Sequence, residues 1–199
     1  MPAACQARTI PLFDARGLLP PFLGADETTP QRSPYDVTMS EVVAALGASP
    51  ERQNLLFGLI EYRALLNGFG YLHGLQFVDG SFVENVEVRE GRQPGDIDVM
   101  TFAMLPVPYQ GNPALWATTG FPQWQGEVVN QPLNKQRYQL DTYGVIVDHG
   151  GPLGMMNATI YWYSLFSHKK VTRDWKGFVR IPFNAADDLA ARGMIVSGP

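Results

Sequence analysis

Two aspartates, Asp96 and Asp98, flank Ile97 in the stretch PGDIDVMTF, which is otherwise mostly apolar beyond its first residues. In an extended strand, residues i and i+2 share a face, with Cα atoms about 6–7 Å apart. Two carboxylates on one face repel unless a cation or a donor lies between them. Mg2+ suits such a pair, because it takes hard oxygen ligands and accompanies phosphates. Two such ions about 3.5–4 Å apart can clamp an in-line phosphoryl displacement. Asp141, in YQLDTYGV, is the candidate third carboxylate on another strand. A carboxylate buried there needs a partner.

Upstream, Gly80 and Ser81 close the apolar run LQFVDGS. Glycine permits a tight turn and close approach of the backbone to a ligand. A helical turn from about Phe82 would aim N–H groups at an anion, and the Ser81 hydroxyl can donate to a phosphate oxygen. Lys135 and Arg137 precede the Asp141 strand. Either would reach a nucleotide phosphate, or be a solvated loop charge. Plainer readings stand beside these. Asp96 and Asp98 on an edge strand would discourage aggregation, Asp141 would face solvent, and Ser81 would satisfy local turn backbone. The combination favours a metal-and-phosphate site.

The elements that must position these residues follow from pattern. SPYDVTMSEVVAALG predicts a short helix capped by Asp36 or Ser40 and stopped by Gly47. The next helix starts with Ser49 as N-cap and Pro50 at the first position, carries Leu55, Leu56, Leu59, Ile60, Tyr62, Leu65 and Leu66 at helical spacing, and ends at Gly68 or Gly70. Strands are expected in LQFVDGSF, GDIDVMTFAM, QRYQLDTYGVIV and GFVRIPF. Helical pieces are expected in NPALWATTG, in NATIYWYSLFSHKK capped by Asn157, and in AADDLAARGM. The order predicts a mixed α/β or α+β domain over residues 36–199. Residues 1–35 hold six prolines, from Pro2 to Pro34, and predict an arm packed on the domain through Ile10, Leu12, Phe13, Leu18, Leu19 and Phe22.

The constellation resembles the DNA polymerase β-type nucleotidyltransferase superfamily: Val78-Asp79-Gly80-Ser81, then Asp96-Ile97-Asp98-Val99, then Asp141. More closely, RGLLPPFLG, FVDGSFVEN, PGDIDVM, QLDTYGV and WKGFVRI look like a bacterial nucleotidyltransferase-like family of unknown substrate, over roughly residues 9–183. The spacer from Phe82 to Gly95 is longer than that pattern's, and NVEVREGRQ reads as an inserted hairpin or loop. The resemblance implies a polymerase β-like palm, with a mixed sheet flanked by helices. It implies Mg2+ or Mn2+ held by Asp96, Asp98 and Asp141, and an NTP held by Gly80 and Ser81, with Lys135 assisting. Asp141 would help activate the acceptor hydroxyl, as general base or through the metal. The product would be a nucleoside monophosphate joined to a hydroxyl of a protein, an RNA or a small molecule, in a setting such as a toxin–antitoxin or phage-defence pair. The alternative is a catalytically silent nucleotide- or protein-binding module of the same fold.

The whole chain fits an ordinary globular domain. Its 199 residues are 45% hydrophobic and 17% charged, with a net charge of -4, so composition gives no general nucleic-acid footprint. Locally, Lys169, Lys170, Arg173 and Lys176 face one acid, Asp174, and are the candidate RNA contacts. Cations near a helix C-terminus explain Lys169 and Lys170 equally well. One cysteine, Cys5, excludes an intramolecular disulfide and suits a reducing cytoplasm. With three scattered histidines, it offers a poor zinc set. No apolar run approaches transmembrane length, and the N-terminus does not read as a signal peptide. Trp116 and Trp124 lie in the long segment 107–135, where a base could stack, although core packing is their default.

Overall fold

A computed structural model describes residues 10–197; Pro2 and Cys5 lie outside the described residues. Five strands form one mixed sheet in the order β1-β5-β2-β3-β4. They are β1 (Tyr35–Asp36), β2 (Gly74–Asp79), β3 (Ile97–Ala103), β4 (Leu140–Ile146) and β5 (Val179–Pro182). β2 runs antiparallel to both β3 and β5, while β3–β4 and β1–β5 are parallel pairs. The architecture is therefore mixed α+β, with helices on both faces of the sheet.

Helix α1 (Met39–Leu46) starts at Thr38, not at Asp36 or Ser40. The Thr38 hydroxyl accepts from Glu41 N–H, and the Glu41 carboxylate accepts from Thr38 N–H. This reciprocal box satisfies two end donors at once, whereas Asp36 is already committed to β1. Helix α2 (Pro50–Gly68) begins and ends where its sequence places it, with Ser49 accepting from Arg52 N–H. Its central Gly58 lies under the backbone of Tyr138, just before β4: a Cβ there would come 2.2 Å from the Tyr138 carbonyl oxygen.

α1, α2, α6 (Gln131–Tyr138) and α8 (Ala185–Ser197) cover one face of the sheet. Val78, Ile97, Val99, Leu140, Val179 and Ile181 point into that layer. Arg63 is buried there too, and donates to Gln76, Asp188 and the Pro182 carbonyl. The segment 113–128 is helical but irregular. Single α turns α4 (Pro113–Leu115) and α5 (Phe121–Gln123) alternate with wider π turns at Trp116–Gly120 and Trp124–Val128. Trp116 and Trp124 are both buried, and Trp124 packs over Gly144 so closely that a Cβ there would come 2.6 Å from its ring. Neither tryptophan is placed to stack on a base.

The other face carries Phe77, Met100, Phe102 and Phe178, covered by α7 (Gly151–Phe166) through Met155, Ala158, Trp162, Tyr163 and Phe166. α7 starts six residues before Asn157, with Pro152 in its first turn, where its missing N–H costs nothing. Its outer side leaves Leu153, Met156, Ile160, Tyr161 and Leu165 exposed. NVEVREGRQ is neither hairpin nor plain loop. It contains a short helix, α3 (Val86–Glu90), closed by Gly91 in the left-handed region. Of the proline-rich segment, Leu18 and Leu19 are fully buried and Ile10 and Phe13 pack against the core, but Leu12 is 91% exposed. Among the described residues, no helix is long and apolar enough to cross a membrane.

Candidate active site

Strand register brings the predicted carboxylates together. Asp98 is directly opposite Asp141 across the parallel β3–β4 pair, and Asp96 precedes Asp98 by two residues. Cross-strand partners share a face, and these acids lie on the α7 face, at the end of the sheet where β3 and β4 begin. Register also adds a carboxylate that pattern had not singled out. Asp79 ends β2 directly opposite Asp98. The signal was present: Leu75, Phe77 and Asp79 alternate along one face, so the strand's last inward position is acidic.

Gly80 follows in a conformation, φ 88° and ψ −167°, that is essentially restricted to glycine. A Cβ at this position would meet Asp98 Oδ2 at 2.6 Å. The turn thus passes directly against the central carboxylate. Ser81 opens a single 3-10 turn, Ser81–Val83, and is half-buried beside the acids. Gly80→Ala should therefore destabilise the fold by about 1–3 kcal/mol and push Asp98 aside. Urea unfolding checks the first effect, and Mn2+ titration of the folded variant checks the second.

Two ammonium groups flank the row of acids. On the β2 side, the nearly fully buried Lys176 ion-pairs with Asp79 Oδ1 at 2.9 Å and Glu84 Oε1 at 3.0 Å, and donates to the Gly80 carbonyl at 3.2 Å. On the β4 side, Lys135 donates to Asp141 Oδ2 at 2.8 Å and also to Asp96 Oδ2. Burial works against its charge, but the two acids outweigh that and hold its ammonium above the ordinary lysine value. Lys135 therefore stands between two predicted metal ligands. Among the described residues, no three acidic, histidine or cysteine groups already form a metal cage.

Asp98, in the middle, has neither lysine as a direct partner, and no group among the described residues donates a hydrogen bond to its carboxylate. Burial, then Asp96 and Asp141, push its acid up to about 6. Asp79 is pushed up to about 7 by burial, against the opposing pull of Lys176. The four carboxylates of the row and Glu84 face Lys135, Lys176 and, through Glu84, Lys169, so five acids meet three ammoniums and an excess of two negative charges remains when all are ionised. A divalent cation is chemically suited to such a deficit, so the donor set fits Mg2+ or Mn2+.

The four predicted RNA contacts divide. Lys176 is enclosed, as described. Lys169 pairs with Glu90 at 2.9 Å and Glu84 at 3.5 Å. Only Lys170 and Arg173 are exposed. Burial of Lys176 removes it from any surface that could touch a nucleic-acid backbone. It serves instead as the counter-ion of Asp79 and Glu84.

Fold and site together define an α+β domain with an acidic row across one end of the sheet, beside a glycine turn. The chain belongs to a family of unknown function (DUF6932), whose pattern matches residues 11–182. The acidic row, the Gly80 turn and Lys176 all fall inside that range. Comparisons with curated proteins and with solved structures find no match.

Proposed function

We propose that this protein is a metal-dependent nucleotidyltransferase with a polymerase β-like palm. One observation carries the reading. Asp98 is a half-buried carboxylate without a hydrogen-bond donor, set in register between Asp79 and Asp141. A fold gains nothing from such a group, because a buried charge needs a partner; a cation that arrives with the substrate would supply it. Mg2+ or Mn2+, when bound, would supply neutralisation of the charge that develops in an in-line phosphoryl displacement. Asp96, Asp98 and Asp141 would hold it. The Gly80–Ser81 turn would take the NTP phosphates, with no Cβ at Gly80 and with the Ser81 hydroxyl as a donor. Asp141, at the mouth of β4, would orient the acceptor hydroxyl or accept its proton. Catalysis would then rest on positioning and charge neutralisation. The acceptor remains a protein, an RNA or a small-molecule hydroxyl. An RNA acceptor would meet Lys170 and Arg173.

A second reading is favoured by Lys135, whose ammonium sits where a cation would bridge Asp96 and Asp141. A silent module could keep this internal cation permanently and bind its ligand without turnover.

The deciding experiment incubates the protein with each α-labelled NTP and Mg2+, with and without cell lysate. Label transfer with pyrophosphate release supports the enzyme. NTP binding without transfer supports the silent module. No NTP binding, together with no effect of EDTA on stability, overturns both.

A pH dependence follows from Asp98. Its proton and a divalent cation compete for the same oxygens. Because burial and its acidic neighbours push the carboxyl up to about 6, the proton wins at lower pH. Mn2+ affinity should fall about tenfold for each pH unit below that value and level off above about pH 7. Calorimetric titration across pH 5–8 measures this; a flat profile would show that Asp98 is not a ligand.

A further inference from the structure

We infer that Lys135 is a removable counter-ion: it holds the carboxylates of the site together before a divalent cation arrives, and it competes with that cation for them. This rests on the nucleotidyltransferase reading and concerns what sets its metal affinity.

The two lysines of the site differ in the one property that matters here. The Lys176 side chain is 3% exposed and is held by three oxygens from Asp79, Gly80 and Glu84, so it has nowhere to go. The Lys135 side chain is 44% exposed and projects from the last turn of α6, with only Asp96 and Asp141, among the described residues, as its carboxylate partners. Its four-carbon stem can swing into solvent without moving the backbone. Its place is fixed by the chain. α6 ends at Gln139, in the left-handed region, and Leu140 opens β4 at once. This tight junction delivers Lys135 to the very strand that bears Asp141.

Lys135 engages Oδ2 of Asp96 and Oδ2 of Asp141. A second cation drawn to those two acids would meet the ammonium's positive charge already between them, so the two occupancies compete. An ammonium released there would stay on the β4 side of the acidic row, across β3 from the Gly80–Ser81 turn, and its long stem would let it turn toward the negative charge that the substrate's triphosphate would bring. Lys135 would exchange carboxylate for phosphate partners. Metal and nucleotide would then favour each other's binding, a coupling that must be reciprocal.

The test uses the full chain and Mn2+ alone, titrated by calorimetry, and then Mn2+ with a non-hydrolysable NTP. Lys135→Met should bind Mn2+ about tenfold more tightly than wild type, the effect expected of two partly exposed ion pairs. The mutual enhancement of Mn2+ and nucleotide should shrink in the same variant. Arg137→Met removes an equal charge nearby, where Arg137 pairs with Glu127 away from the acids, and should shift Mn2+ affinity by less than about twofold. Equal Mn2+ affinity in wild type and Lys135→Met, or an equal shift from Arg137→Met, overturns the role of Lys135 and leaves the enzyme reading intact. Failure of wild type and Lys135→Met alike to take Mn2+ or nucleotide overturns both.

Discussion

Asp98→Asn should abolish nucleotide transfer while leaving the protein at least as stable as wild type. The two halves of this expectation come from the same geometry. Asp98 lies opposite Asp79 on one side and Asp141 on the other, and its acid is pushed up to about 6 by burial and by Asp96 and Asp141. A carboxyl whose folded value lies above the ordinary 3.8 stabilises the fold only while it can hold its proton. That contribution is present below about pH 4 and is lost as pH rises through about 6. At pH 7.5 the ionised group therefore works against the fold, and an isosteric amide relieves it. Removing the central ligand should cost at least about 10²–10³-fold in rate, the loss seen when one transition-state charge stabiliser is deleted. Label transfer from an α-labelled NTP measures the first effect, and urea unfolding at pH 7.5 measures the second. A merely structural aspartate would give the opposite pattern, with stability lost and activity lost only through unfolding. Undiminished transfer by Asp98→Asn would remove Asp98 from the site.

The parts of this site that pattern revealed are those encoded over short distances. Asp96-Ile97-Asp98 shows a shared face because strand side chains alternate with period two, and Ser49-Pro50 marks the start of α2 by local capping chemistry. What pattern missed depends on partners far along the chain. Val86 and Val88 alternate like a strand, yet Val86–Glu90 is helical. There Arg52 reaches across from α2 to grip Glu87 and the Phe82 and Glu84 carbonyls. Asp79 was visible as a residue but not as a member of the acidic row, because its place is set by the β2–β3 register. Lys176 was misread most. In sequence it belongs to a basic stretch, which predicts a solvated or nucleic-acid-facing cation. In space, Gly177 beside it packs so tightly that a Cβ would come 2.5 Å from the Pro20 carbonyl oxygen. That close contact with the N-terminal arm, together with Asp79 and Glu84, encloses the lysine, and no local pattern encodes it.

Lys176→Met should be the most destabilising single change at the site. The lysine is 2% exposed, and its ammonium faces two carboxylates that are themselves buried, Asp79 and Glu84. Removing one side of a buried ion pair leaves an uncompensated charge and costs about 3–5 kcal/mol. Methionine keeps much of the volume of the lysine stem, so the loss reports charge more than packing. The pH dependence separates the two. Asp79 is pushed up to about 7 by burial even with Lys176 pulling it down, so without the lysine it should hold its proton to higher pH still. A raised folded value means that stability is retained where the acid is protonated and lost as pH rises through that value. The deficit of Lys176→Met relative to wild type should therefore be greatest near pH 8 and narrow toward pH 5. Asp79→Asn in the same chain should recover part of it, because the amide carries no charge to strand. Urea midpoints for wild type, the single variants and the double variant at pH 5 and pH 8 measure all of this. A deficit independent of pH, and not recovered by Asp79→Asn, would show that Lys176 acts as a packing stem. In that case the Gly80 turn would owe its position to the arm at Gly177 rather than to the buried charges.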